Sequence, residues 1–146
     1  MSFVQNYPFF SIVLSLLCAV VSFVVPARWG KRLTYFLLCA SLYMQAHLLV
    51  FCTAGHVSFS YMMGHYPAPW GNEIAAGIIE PLMALVFVIV ILLSVSGGGK
   101  YIEGDIEGRR KNLYWVMVDL THVALMALCY TNDIFTGYVF VEVCTI

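Results

Sequence analysis

Three runs of mainly apolar residues, at 8–25, 33–53 and 78–96, each have roughly the length a helix needs to cross a bilayer. A fourth, 112–130, is apolar with two polar interruptions, Asp119 and His122. A fifth, 134–146, would rise only about 20 Å as a helix. Inside lipid every backbone N–H and C=O must be satisfied internally, so such segments fold as packed helices. The expected fold class is therefore an all-α membrane protein. It has about four transmembrane helices plus a partial fifth, in one multi-pass domain over residues 1–146. Only 10% of the chain is charged, against about 25% in soluble domains. A separate soluble domain is excluded on that ground.

The basic residues set the expected orientation. Arg28, Lys31 and Arg32 follow the first run, and Lys100, Arg109, Arg110 and Lys111 follow the third. With one reversal per helix these two groups share a side, and the positive-inside rule makes that side the cytoplasm. The N-terminus and the loop at 54–77 then lie outside, and 97–111 is a cytoplasmic loop. No Lys or Arg precedes the first run, so the basic leader of a signal peptide is missing.

The outer loop alternates Val57, Phe59 and Tyr61 with Ser58 and Ser60, the period-two sign of a strand. Gly64, Pro67, Pro69 and Gly71 follow. A short β-hairpin or ordered extended loop is expected here, with Tyr61, Tyr66 and Trp70 at headgroup level. In the inner loop, Gly97-Gly-Gly-Lys100 fails the phosphate-loop pattern. Tyr101 replaces Ser/Thr and Ser94 replaces the first Gly. That segment is expected to be a solvated connector. The five cysteines (18, 39, 52, 129, 144) form no CxxC pair and read as small apolar fillers. No metal site or cofactor motif is present.

Few ionisable residues interrupt the apolar runs. Glu142 lies nine residues past Asp133 among Val139, Phe140, Val141 and Val143. A helix starting near Asp133 would bring it about 13 Å inward, near the middle of the membrane. A charge at that depth costs roughly 2.5–3.5 kcal/mol and ordinarily has a task or a partner. The functional reading is a carboxylate that loads and releases a proton or sodium; the bland one is an acid that escapes to solvent. Asp119 and His122 are three apart and share a helix face. They could pass a proton or orient each other, or simply bond neighbouring helices. His47 is read either as a relay group or as a satisfied interhelical donor. Glu80 and Pro81 suit a first helical turn, as dipole complement and proline start. His56 and His65 receive no role beyond packing or solvent contact. No lysine or arginine falls inside any of these expected helices, so a Glu–Lys pair cannot be completed from them.

Two stretches carry a family resemblance. MMGHYPAPWGNEIAAGIIE at 62–80, leading into Leu82–Leu85, resembles the outer loop and third-helix entry of the large antiporter-like membrane subunits. YTNDIFTGYVFVEV at 130–143 resembles their entry into helix five. Such subunits occur in respiratory complex I, membrane-bound hydrogenases and Mrp-type cation/proton antiporters, and the D-type subunits of the Mrp antiporters are nearest in flavour. The resemblance implies proton translocation in exchange for Na+, or proton pumping, within a multi-subunit complex of a bacterial or archaeal cell membrane. It implies that Glu142 is the family's helix-five glutamate, which pairs with a helix-seven lysine. It also implies an outside N-terminus and an outer hairpin between helices two and three. Family members have about fourteen helices, so the remaining helices and the lysine are expected on another stretch, a separate chain being one source. Ala75 stands where an arginine is expected. The chain itself is expected to be no enzyme and to hold no cofactor. The alternative is a structural or assembly subunit, or a truncated product, without a transport path.

Overall fold

The computed structural model describes residues 3–56, 58–62, 73–106 and 108–145. After a short 3-10 turn at Phe3–Asn6, five α-helices and one small sheet follow. Helix α1 is Tyr7–Val24 and α2 is Ala27–Gly55. Strands β1 (Phe59–Met62) and β2 (Glu73–Ala76) form the antiparallel pair, with Tyr61 opposite Ile74. Helices α3 (Ile79–Asp105), α4 (Gly108–Tyr130) and α5 (Ile134–Thr145) complete the chain. Among the described residues, four helices are long and apolar enough to cross a membrane. The expected helical membrane architecture is present, and so is a short hairpin between α2 and α3. Tyr66 and Trp70, expected at headgroup level, lie outside the described residues.

Prolines place the first boundaries. Pro8 sits in the opening turn of α1, where its missing N–H costs nothing. Val25 precedes Pro26 and is extended (φ −87°, ψ 147°), the region into which a following proline ring pushes a residue. Pro26 then caps α2. At the far end of α2, His56 adopts the left-handed conformation (φ 45°, ψ 37°) that commonly closes a helix.

Two boundaries differ from the sequence reading. The segment 97–105, expected as part of a solvated connector, continues α3 as helix. Hydropathy marks only the lipid-embedded part of a helix, and nothing requires the helix to stop at the interface. For the same reason α2 and α4 start earlier than their apolar runs. Arg28, Lys31, Arg32 and 109–111 are therefore helical, on terminal turns rather than in loops.

The bundle has two distinct ends. At one, Gly30 lets α2 approach Asn112 and Trp115 of α4. Asn112 also donates to the Phe23 carbonyl of α1 at 3.0 Å. This end gathers the basic starts of α2 and α4. At the other end, the α4–α5 turn is stitched to the hairpin. Thr131 bridges Ile74, and Asn132 N–H donates to the Glu73 carbonyl at 2.9 Å. The apolar core lies toward this second end, where Leu48, Cys52, Ile74, Ala76, Ala84, Val88, Met126 and Tyr130 pack together.

Helix α1 packs most extensively on α4. Its buried stripe is Ser11, Ser15, Cys18, Ala19 and Ser22. Small residues at helical spacing let two backbones approach where lipid supplies no hydrophobic drive. The opposite face carries Leu16, Leu17, Val20, Phe23 and Val24, all exposed. Helix α5 has no buried residue.

Candidate functional site

The polar groups that these helices bury form a file between α1, α2 and α4. Asp119 and His122 face inward from α4 and are fully buried (0% exposed). Asp119 lies nine residues past Arg110, about 14 Å along α4, and its partner Ser22 stands two residues before the α1 end at Val24, so the carboxyl sits in the half of the bundle nearer the basic end. Ser22 of α1 donates to Asp119 Oδ2 at 2.9 Å. Thr34 of α2 reaches the same carboxyl, but its hydroxyl closes no hydrogen bond. Ser15 of α1 contacts His122 Nδ1 at 2.8 Å. Farther toward the hairpin, the Tyr130 hydroxyl donates to Gln45 Oε1, and Gln45 Nε2 contacts the Met126 sulfur at 3.6 Å.

Asp119 and His122 share a face yet do not bond each other. Their partners, Ser22 and Ser15, lie seven residues apart on the antiparallel α1, about 10 Å against about 4.5 Å between the two α4 residues. The acid and the ring therefore reach in opposite directions. Mutual orientation is thus replaced by two separate bonds across the α1–α4 interface.

Five buried side-chain atoms have no hydrogen-bond partner among the described residues: Thr34 Oγ1, Ser41 Oγ, Asn112 Oδ1, Asp119 Oδ1 and His122 Nε2. A buried polar atom left unpaired costs about 1–3 kcal/mol. Asp119 Oδ1 and His122 Nε2 are the two that belong to ionisable groups of the file. It is also where sequence reasoning stops short, since it does not single out the serines of α1 or Thr34, Ser41 and Gln45 of α2. The signal that could find them is helical spacing: 11, 15, 22 on one helix and 34, 41, 45 on the next, each on one face.

The other candidates lie elsewhere. Glu142 is exposed on α5, beside exposed Val141 and Val143 and apart from the buried file. His47 is exposed on α2, with its ring 5.7 Å from that of Tyr7 and 6.0 Å from that of Tyr43. It is not a buried interhelical donor, because position 47 falls on the outward face between buried Gln45 and Leu48. Glu80 closes the entry to α3, its Oε2 accepting the Gly77 N–H at 2.6 Å, and Pro81 is buried behind it. His65 lies outside the described residues. Among the described residues no three His, Cys, Asp or Glu groups gather as a metal site.

No protein-family model matches the chain. Over 86 residues it is 29% identical to NADH-quinone oxidoreductase subunit N of Desulforudis audaxviator (strain MP104C), a match covering 57% of this chain and 16% of that protein. The fold matches a chain of the membrane-bound sulfane sulfur reductase (MBS), an archaeal respiratory membrane complex, with TM-score 0.80 and 20% identity. That match covers 94% of this chain and 28% of the other. It also matches a chain of the Mrp complex from Dietzia sp. DQ12-45-1b, with TM-score 0.78 and 18% identity, over 100% of this chain and 26% of the other. The fold is that of a helical multi-pass membrane protein, and it is shared with chains of these two membrane complexes. The chain is thus similar to part of each of these membrane-complex subunits, and it spans about a quarter of the length of the solved chains it matches.

Proposed function

We propose that this chain is the N-terminal portion of a proton-translocating subunit, of the Mrp-type Na+/H+ antiporter kind, working within a multi-subunit complex of a cell membrane. The observation that carries this reading is Asp119, a fully buried acid inside the helical bundle, toward its basic end, with one oxygen unpartnered among the described residues. Ionisable groups held inside a membrane bundle are costly and are kept where protons or ions move. His122 extends the same file. Glu142 contributes a second acid, exposed on a helix that has no buried residue. A basic partner for it would come from helices outside these 146 residues. His47 is the weakest member of the path, since it stands apart on the outer face of α2. The basic starts of α2 and α4 support an orientation with that end in the cytoplasm and the hairpin outside. The chain is read as a transport subunit that performs no catalysis and needs no cofactor, any redox chemistry belonging to partner subunits.

The test is Asp119→Asn and Glu142→Gln in the assembled complex, read as cation-dependent proton movement in vesicles. Loss of transport in either, with the complex still assembled, is the expected result. Full activity in both would sink the reading. It would favour the second one, a structural subunit, for which the Ser22–Asp119 and Ser15–His122 bonds already provide a role as interhelical ties.

A further inference from the structure

Ser15 has one hydroxyl hydrogen and two short polar contacts. Its oxygen lies 2.6 Å from the Ser11 carbonyl oxygen and 2.8 Å from His122 Nδ1. A carbonyl oxygen only accepts, so the serine hydrogen is spent there. Toward His122 the serine is then an acceptor, and Nδ1 must carry a hydrogen. A neutral imidazole has a single N–H. Nε2 is therefore the bare nitrogen, and it is the buried atom with no partner among the described residues. The Ser11 hydroxyl offers no alternative, because it is bonded to the Pro8 carbonyl at 2.8 Å.

We propose that Ser15 is a positioning residue: it locks His122 in the Nδ1–H tautomer and leaves Nε2 as the one atom through which this buried ring takes up and returns a proton. Uptake forms an N–H bond at Nε2 and gives an imidazolium, while the donor loses that hydrogen. The donor is a hydronium ion, which departs as water once Nε2 has taken its proton; the Asp119 carboxyl, three residues away, turns the opposite way toward Ser22. Release reverses the step at the same atom. The Nδ1 side is closed. A proton handed to Ser15 would displace a hydrogen already held by a helix carbonyl, which has no further acceptor to pass it to. His122 is thus a one-port station, a side branch that stores a proton, and not a link in a through-wire. Its use in transport rests on the function proposed above. The tautomer does not.

Nitrogen NMR of the whole chain in lipid nanodiscs, with isotope-labelled histidine, reads the tautomer directly. The His122 signals are assigned by their loss in His122→Gln. The wild type should show a protonated Nδ1 and a bare Nε2. Ser15→Ala should shift most of the population to the Nε2–H form, and Ser15→Thr, which keeps the hydroxyl, should restore the wild-type pattern. An Nε2–H ring in the wild type overturns the proposal, as does an unchanged tautomer in a folded Ser15→Ala protein. If Ser15→Ala does not fold, the wild-type tautomer alone decides. Normal transport in His122→Gln, with the tautomer as stated in the wild type, would remove the storage role and leave the positioning role of Ser15 standing.

Discussion

Ser22 of α1 and Asp119 of α4 are joined by a 2.9 Å hydrogen bond at a point where both are fully enclosed by protein. The bond satisfies one carboxyl oxygen and leaves the other open. Removing the serine hydroxyl strips the acid of its protein donor. Ser22→Ala should therefore destabilise the folded chain by about 1–3 kcal/mol, the cost of an unsatisfied buried polar group. The coupling itself should be smaller. A double-mutant cycle with Asp119→Asn should give about 0.6 kcal/mol, the average for interhelical hydrogen bonds in membrane bundles. Reversible unfolding in mixed micelles measures both. A Ser22→Ala protein as stable as the wild type would show that Asp119 finds another donor.

The Gln45–Tyr130 pair makes the same asymmetry testable on apolar ground. Both side chains are buried, and the phenol hydroxyl donates to the amide oxygen. Tyr130→Phe leaves Gln45 Oε1 exposed to an apolar core and should cost about 1–3 kcal/mol. Gln45→Leu should cost a similar amount by orphaning the phenol. The double variant removes both polar groups and should recover most of the loss. Additive losses in the double variant would contradict the pairing.

Asp133 caps α5 and makes its first turn sensitive to acid. Its Oδ2 accepts from the Thr136 hydroxyl at 2.8 Å and from the Thr136 N–H at 3.2 Å, and its Oδ1 accepts from the Phe135 N–H at 3.3 Å. The Thr136 hydroxyl first, then these backbone donors, hold its carboxyl below the usual carboxylate range. A carboxyl with a depressed folded pKa stabilises fully above its unfolded value, near 3.9. That contribution is lost as pH falls through the folded value. Amide exchange at Phe135 and Thr136 should thus be protected at neutral pH and rise only in strong acid, beyond the intrinsic pH trend of exchange. Asp133→Ala should lose the protection at every pH, while Asp133→Asn, still a capping residue, should retain most of it without the acid step. An acid step that persists in Asp133→Asn would assign it to another group.

Gly30 sets how closely α2 and α4 approach at the basic end. An added Cβ would lie 3.5 Å from Asn112 Oδ1 and 3.7 Å from the Trp115 Cβ, ordinary contact distances. Gly30→Ala should fold with stability near the wild type. Gly30→Leu cannot be accommodated without parting the helices and should cost about 1–3 kcal/mol, the usual penalty for overpacking. A tolerated leucine would mean that this end of the bundle is loosely packed.

The membrane class and the helix count were legible because long apolar runs have few alternative fates. The hairpin was legible at Phe59 and Tyr61, where alternation is plain. Its second strand, Glu73–Ala76, alternates too weakly to stand out and is fixed by its pairing with β1. The site was legible only in part. Asp119 and His122 stood out as polar interruptions, whereas Ser15, Ser22 and Thr34 did not, because hydroxyls pass unnoticed in an apolar helix. Their importance appears when three helices turn the same stripe inward. His47 misled for the opposite reason: a histidine amid apolar residues reads as buried, but in lipid the outward face is apolar as well.

Helix α2 holds 29 residues from Ala27 to Gly55, about 43 Å of helix against a hydrocarbon layer of about 30 Å. It must lean, or stand proud of the acyl chains by two turns or so at its Arg28–Arg32 end. Membrane thickness therefore bears on how far α2 tilts. A thicker bilayer would draw α2 upright and press its cationic turns against the headgroups, while a thinner one would tip it. Thr34 lies on the same rod two turns from its start, so a change of tilt would carry its hydroxyl toward or away from Asp119.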